Sequence, residues 1–334
     1  KTFLNTPLNP EKVETHFMPN TGQYSPLAYF PQALAAFFGR HLNFSAGAIY
    51  YAMCLSALFF VASCIFFSMK ILPEKKFLIF LIAAMPMFLA EIISTSADAV
   101  IYGICLLGSA WLLSQRKNFD AITYQEIFLL ILFSICLGLL KSVYGTILLL
   151  YFLMPRQRFK KLTYFIGFGI FLLLLELIVS SIWSYLAINL QGVELYSLYH
   201  VGPQDVDVTL QKNFILQNPA EFFKTIFNTV TYADYDIMLA KTFVAWFGAY
   251  NLMLPDWFCF SYWIILVVSG FFGKLNLKNF HRICILTAVA ITILGIFTVE
   301  YLIWTSVGAN VVNGVQGRYF IPIALFGFSI FSCL

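Results

Sequence analysis

The chain has 334 residues, 60% of them hydrophobic and 11% charged, with a formal net charge of +4 and a mean hydropathy of +0.83. Soluble domains carry about 25% charged residues, so too little charge is present to solvate a globular surface, and the class is a polytopic α-helical membrane protein. The cysteines (Cys54, Cys64, Cys105, Cys136, Cys259, Cys284, Cys333) sit in apolar runs without CxxC spacing, and the histidines (His16, His41, His200, His281) show no ligand spacing, so zinc and disulfide frameworks find no support.

In chain order, the opening at Lys1 is polar, and the last residues stop inside an apolar run, which reads as a piece of a longer protein. Pro26–Gly39 reads as a dipping or interfacial helix. Ser45–Met69 exceeds the roughly 18–20 apolar residues that cross a bilayer and is followed by "KILPEKK". Phe77–Ile93 returns, "STSADA" turns the chain, and Ala97–Leu113 leads to "SQRKNFD". Ile127–Leu140 and Val143–Met154 are short runs flanking Lys141, ending in "PRQRFKK". Phe165–Ile188 opens into a polar stretch, 189–256, that contains "NPAEFFKTIFNTVT" (Asn218–Thr231). Its cap Asn, its Pro in the first turn and its stripe of Phe222, Phe223, Ile226, Phe227 and Val230 suit a helix lying in the membrane interface or one packed on the protein's own spans. Trp257–Gly273, "KLNLKNFHR", Ile283–Trp304, the loop "NGVQGR" and a run beginning at Tyr319 complete the chain.

Charge alternates between the connecting loops. Lys70, Lys75, Lys76, Arg116, Lys117, Arg156, Arg158, Lys160, Lys161, Lys274, Lys278 and Arg282 lie in one set, against only Glu74, Asp120 and Glu126. Such an excess of Lys and Arg in alternate loops marks the cytoplasmic side. "STSADA", Lys141, the stretch 189–256 and "NGVQGR" then share the outer side. This topology requires the chain to reverse at Lys141, although each flanking run is only about 20 Å long at ~1.5 Å per residue, less than the ~30 Å hydrocarbon core.

The outer side gathers Asp98, Lys141, Glu300, Gln316 and Arg318, with Glu91 near the end of its helix and Glu176 in mid-span. Each has two readings. Asp98 is a helix cap or a site carboxylate, and Lys141 snorkels or faces a depression. Glu300 forms a structural bridge to Arg318 or serves chemistry. In "GVQGR" the glycines make a turn or let the backbone approach a ligand, while Arg318 anchors at the headgroups or offers its donor fork to a phosphate. No Walker loop, GxGxxG or HExxH is present, and no nucleic-acid partner is indicated.

Six strings, "YSPLAYFPQALAAFFG", "ISTSADAVIYG", "LLKSVYGTILLLYFLMP", "LQKNFILQNPAEFF", "AWFGAYNLMLPDW" and "NGVQGRYFIPI", resemble in this order the bacterial polytopic family catalogued as domain of unknown function 2142, over almost the entire chain. The resemblance implies a multi-pass protein of the bacterial cytoplasmic (inner) membrane, associated with cell-envelope polysaccharide. It also implies an alliance with the GT-C glycosyltransferases, which take a sugar from a polyprenyl-phosphate carrier at the outer face. The fold expected is then all-α: one transmembrane helical bundle, GT-C-like, with short or re-entrant helices and interfacial helices in the outer loop 189–256. Members of the family carry an Asp–Glu pair with a nearby His in the first outer loop. Here "EKVETHFMPNTGQYSP" matches only the end of that loop, and Glu11, Glu14 and His16 do not align with the pair.

The roles implied are phosphate and lipid-carrier binding by Arg318, Gln316 and Lys141, and catalytic roles for Asp98 and Glu300. Asp98 would orient an acceptor hydroxyl or a metal, and Glu300 would position Arg318. Partners would be a polyprenyl-phosphate-linked sugar, an envelope glycan acceptor and membrane lipid, with a divalent metal ion as an optional cofactor. A transporter or flippase of a lipid-linked glycan and a non-catalytic scaffold of an envelope-synthesis complex are the competing functions.

Overall fold

Ser45 begins the first long span: its hydroxyl accepts from the Ala48 amide and caps α2 (Ala46–Ile71), which follows the shorter α1 (Phe30–His41). The computed structural model describes residues 3–8, 21–191, 206–232, 235–247 and 252–332; Glu11, Glu14, His16, His200 and Cys333 lie outside them. Among the described residues four helices are long and apolar enough to cross a membrane: Ala46–Ile71, Asp98–Lys117, Leu162–Ala187 and Asn279–Ile303. The second has 67% of its apolar window buried, against 28%, 22% and 33% for the other three, so it forms the centre of the bundle while the others turn much of their surface outward.

Apolar runs that look continuous in sequence are broken where backbone chemistry requires it. The run Phe77–Ile93 divides into α3 (Lys76–Ala84) and α4 (Pro86–Ile92). Proline has no amide to donate and pushes the preceding residue out of the helical region; Met85 accordingly sits at φ −64, ψ 130. α5 (Asp98–Ser114) follows, then α6 (Tyr124–Leu140), whose Thr123 and Glu126 form a reciprocal cap.

At Lys141 the backbone becomes extended (φ −159, ψ 106) and the chain reverses. The returning segment, Ser142–Leu153, is a 3-10 helix of 12 residues, much longer than the usual single turn. At about 2.0 Å per residue it covers roughly 24 Å, where an α-helix of equal length would cover about 18 Å. The tighter coil thus recovers part of the length that the expectation of two short α-helices lacked.

α7 (Leu162–Gln191) returns across the bundle and packs on this hairpin. Beyond it come α8 (Val208–Gln217), α9 (Pro219–Thr231), α10 (Tyr235–Val244) and a two-residue hairpin of β1 (Trp246–Phe247) with β2 (Leu252–Met253). α11 (Asp256–Phe271), α12 (Asn279–Ile303), a 3-10 stretch (Gly317–Ile323) and α13 (Ala324–Ser329) complete the described fold.

The loops rich in Lys and Arg converge on one face, largely because their side chains satisfy carbonyls at helix ends. Buried Lys75 donates to the carbonyls of Gly270 and Phe272 at 2.6 and 2.7 Å. Arg116 Nε donates to Leu275 O at 2.6 Å, and Arg282 reaches Ile330 O and Ser332 O. Partnered in this way, buried cations avoid the cost of lost hydration. Of the residues assigned to the opposite side, Asp98 and Arg318 lie 3.7 Å apart, and Lys141 and Arg318 share the Tyr319 ring.

α9, the helix of "NPAEFFKTIFNTVT", packs one face on the protein and leaves the other exposed. Phe222, Thr225 and Thr229 are buried against the 301–312 region: the Phe222 ring lies 5.4 Å from that of Tyr301, and the Thr229 hydroxyl accepts from the Val312 amide at 2.7 Å. Phe223, Phe227 and Val230 remain exposed on the far side.

Candidate functional site

The site is built on the segment Gly314–Tyr319, and its two glycines are needed for protein packing. Gly314 adopts φ +86, a left-handed turn, and a Cβ there would lie 2.8 Å from a Glu300 carboxylate oxygen. Gly317 is pressed against α10, where a Cβ would meet Leu239 O at 2.0 Å, and its amide donates to the Thr242 hydroxyl at 2.7 Å. The close approach that sequence allowed for a ligand is therefore made to the protein itself.

This turn delivers Arg318 to the ends of α4 and α5. Its Nη1 lies 2.6 Å from a Glu91 carboxylate oxygen and 3.7 Å from Asp98 Oδ2. The pair is half-shielded, with side-chain exposures of 29% for Arg318, 12% for Glu91 and 14% for Asp98. Among the described residues Arg318 is thus paired to Glu91 and not to Glu300: Glu91 supplies the short charge-assisted bond. Arg318 Nε is buried and has no acceptor among the described residues.

Asp98 is not the cap of its helix. It is the first helical residue, after the N-cap Ala97; its amide donates to the Ser96 hydroxyl at 3.1 Å, and its carboxylate faces Arg318. Ser96 is held in turn by Gln32 of α1, whose side-chain amide donates to Ser96 O at 3.2 Å.

Lys141 reaches the same place from the apex of the hairpin. Its Nζ lies 4.6 Å from the centre of the Tyr319 ring and 6.0 Å from that of Tyr24, while the Arg318 guanidinium carbon lies 5.5 Å from the Tyr319 centre. Asp98 is within electrostatic reach of Lys141. Among the described residues Lys141 has cation–π contacts but neither an ion pair nor a side-chain hydrogen bond.

Two further tyrosines fix the platform. Tyr102, one turn beyond Asp98, donates to Arg318 O at 3.1 Å, and Tyr144, one turn beyond Lys141, donates to Tyr319 O at 2.9 Å. Sequence reasoning did not select Gln32, Tyr24, Tyr102, Tyr144 or Tyr319 for the site, and it noted Glu91 without assigning a role. The usable signal was spacing: "DAVIY" puts Tyr102 one helical turn from Asp98, and "KSVY" puts Tyr144 three residues after Lys141.

Glu300 is 6% exposed and lies beneath the Gly314 turn, with one carboxylate oxygen lacking a partner among the described residues. It is within electrostatic reach of Lys141 and Arg318 without forming an ion pair to either. Gln316 is half-buried; its carbonyl accepts from the Tyr319 amide, and its side chain joins none of these ion pairs. Glu176 is farther down the bundle, where Gly145 closes on its carboxylate. Among the described residues no three His, Cys, Asp or Glu side chains meet in a manner suited to a metal.

The arrangement sets an ammonium that has cation–π contacts but no ion pair among the described residues near a carboxylate and a guanidinium on an aromatic floor. It can bind an anionic group and accept a proton beside it. Among known families, the one described as "Predicted membrane protein (DUF2142)" matches residues 1–326. No curated protein and no solved structure matches the chain.

Proposed function

The chain belongs to the DUF2142 family of predicted membrane proteins, and from that premise we propose that it is a membrane glycosyltransferase using a sugar carried on a polyprenyl phosphate. The observation carrying this reading is Lys141: a half-buried ammonium without an ion pair among the described residues, beside Asp98 and Arg318. A charge at membrane depth that the fold does not neutralise is costly unless a ligand receives it.

In this reading the acceptor hydroxyl gives its proton to Asp98 as its oxygen bonds to the anomeric carbon of the donor sugar. The bond from that carbon to the phosphate oxygen breaks, and its electron pair leaves with the polyprenyl phosphate. Lys141 is the leading phosphate ligand, and preorganised positive charge there stabilises the leaving group. Arg318, whose Nη1 is engaged by Glu91, contributes its remaining donors and fixes Asp98. Glu300 and Gln316 support the turn that presents Arg318. The concentration of Lys and Arg on the opposite face supports placing this site on the outer side of a bacterial cytoplasmic membrane, with an envelope glycan as acceptor.

The test is transfer of labelled sugar from a polyprenyl-phosphate donor by the purified full-length protein. Lys141→Gln is expected to abolish transfer with an unchanged unfolding temperature, and Lys141→Arg to retain part of it; full turnover in Lys141→Gln overturns the reading. A transport reading draws on the mid-span carboxyl of Glu176, buried with one oxygen that has no hydrogen-bond partner among the described residues. Proteoliposomes that move the intact carrier-linked sugar without cleaving it would favour transport instead.

A further inference from the structure

On the basic face, remote from the Lys141–Asp98–Arg318 site, lies a cavity of about 830 Å³. It opens between the end of the hairpin at Phe152–Gln157, the first turns of α7 and the start of α12. Phe152, Leu153, Phe165 and Ile166 are among its apolar walls, and buried Arg116 with Lys117, Arg156 and Lys278 also line it. Among the described residues no Asp or Glu lines it.

These four cations are not equivalent. Arg116 and Lys117 are engaged by Glu74, and Arg116 also serves the carbonyls of Leu275 and Leu113. Arg156 and Lys278 are exposed and form no ion pair among the described residues. A second polar group faces the same space: His281 lines the cavity, and its Nδ1 is buried without a hydrogen-bond partner among the described residues.

An apolar chamber at the ends of membrane helices, bordered by two exposed cations with no ion pair among the described residues, matches a ligand with hydrocarbon below and a phosphodiester above. We propose that this cavity seats one anionic phospholipid, its headgroup phosphate held by Arg156, Lys278 and His281 and its acyl chains against Phe152 and Phe165. Basic pockets between membrane helices on the cytoplasmic side recognise acidic headgroups by this chemistry. A soluble anion would leave the apolar walls unfilled, and a zwitterionic lipid would bring a second positive charge to a mouth that has an excess of them.

The test uses the purified full chain stripped of lipid in detergent, then offered phosphatidylglycerol and phosphatidylcholine in equal amounts, with retained lipid counted by native mass spectrometry. The expected result is one phosphatidylglycerol retained about tenfold over phosphatidylcholine. Arg156→Gln/Lys278→Gln should erase that preference, whereas Lys76→Gln/Lys160→Gln, the same charge change on the same face outside the cavity, should keep it. Equal retention by the unaltered protein, or a preference surviving in Arg156→Gln/Lys278→Gln, overturns the proposal, as does displacement of the lipid by glycerol 3-phosphate alone. Should the double variant fail to fold, a photoactivatable phosphatidylglycerol on the unaltered protein decides: crosslinks within 152–166 support the site, and crosslinks elsewhere overturn it.

Discussion

Arg158 reaches back to Glu126 with a 2.6 Å ion pair, joining the two ends of the hairpin whose apex is Lys141. The same guanidinium donates to Gln115 Oε1 at 2.7 Å and to Asp120 O at 2.8 Å, while Glu126 also closes the Thr123 cap of α6. One buried cation thus ties together the base of the element that lifts Lys141 to the opposite face. The Arg158 side chain is 0% exposed and Glu126 16%. Removing one partner of a buried pair strands the other, at a typical cost of about 3–5 kcal/mol. Arg158→Ala is expected to lower the unfolding temperature in detergent far more than Glu126→Gln, which keeps the shape and much of the cap. Equal, small shifts would show that the hairpin base is not held this way.

Gly145 and Gly138 test how the hairpin meets α7. A Cβ on Gly145 would lie 2.4 Å from the carboxyl carbon of Glu176, whereas one on Gly138 would lie 2.6 Å from its backbone oxygen. Both alanine substitutions should destabilise by overpacking, about 1–3 kcal/mol each. Adding Glu176→Ala should recover much of the loss in Gly145→Ala and little of it in Gly138→Ala, because only the first clash is with a side chain. Thermal unfolding of the four variants measures the difference.

The tyrosine braces separate positioning from binding. Tyr102→Phe and Tyr144→Phe each remove one hydrogen bond to the Arg318–Tyr319 backbone. Each is expected to lower stability by only about 1 kcal/mol. If the segment acts as a platform, kcat of the proposed transfer should fall in both variants while KM changes little. A rise in KM alone would assign the tyrosines to ligand contact.

Glu74, outside the spans, gives a pH dependence. Burial pushes its carboxyl up, but the hydrogen bond from Lys117, its own backbone amide and the charges of Lys117 and Arg116 outweigh this and hold it below its ordinary value of 4.5. A group lowered in the folded state binds its proton more readily when unfolded, so its stabilisation is complete above the ordinary value and is lost as pH falls through the folded one. Acidification below 4.5 should therefore cost the native protein more unfolding temperature than it costs Glu74→Gln. Parallel curves for the two would remove Glu74 from the acid response.

Much of the architecture was legible in the residues themselves. Apolar run length marked the long spans, because a helix crossing hydrocarbon must satisfy its own backbone and present apolar side chains throughout. The alternation of Lys and Arg marked which loops share a face, and Lys141 between two short runs marked the reversal. The break at Pro86 was equally available in the sequence, though the run around it concealed it. The 3-10 form of Ser142–Leu153 was not: its apolar pattern does not distinguish a tighter coil from an α-helix.

The site divides in the same way. Asp98, Lys141 and Arg318 could be selected because each is an ionisable residue at the edge of an apolar run, where position alone makes charge expensive. Glu91 could not be matched to Arg318, from which 227 positions separate it, and Glu300 looked the nearer partner along the chain. Local sequence determined which residues could not be idle in a membrane. The tertiary structure decided which met: the left-handed turn at Gly314 and the packing of Gly317 on α10 carry Arg318 away from Glu300 and onto Glu91, a placement set by contacts between distant segments.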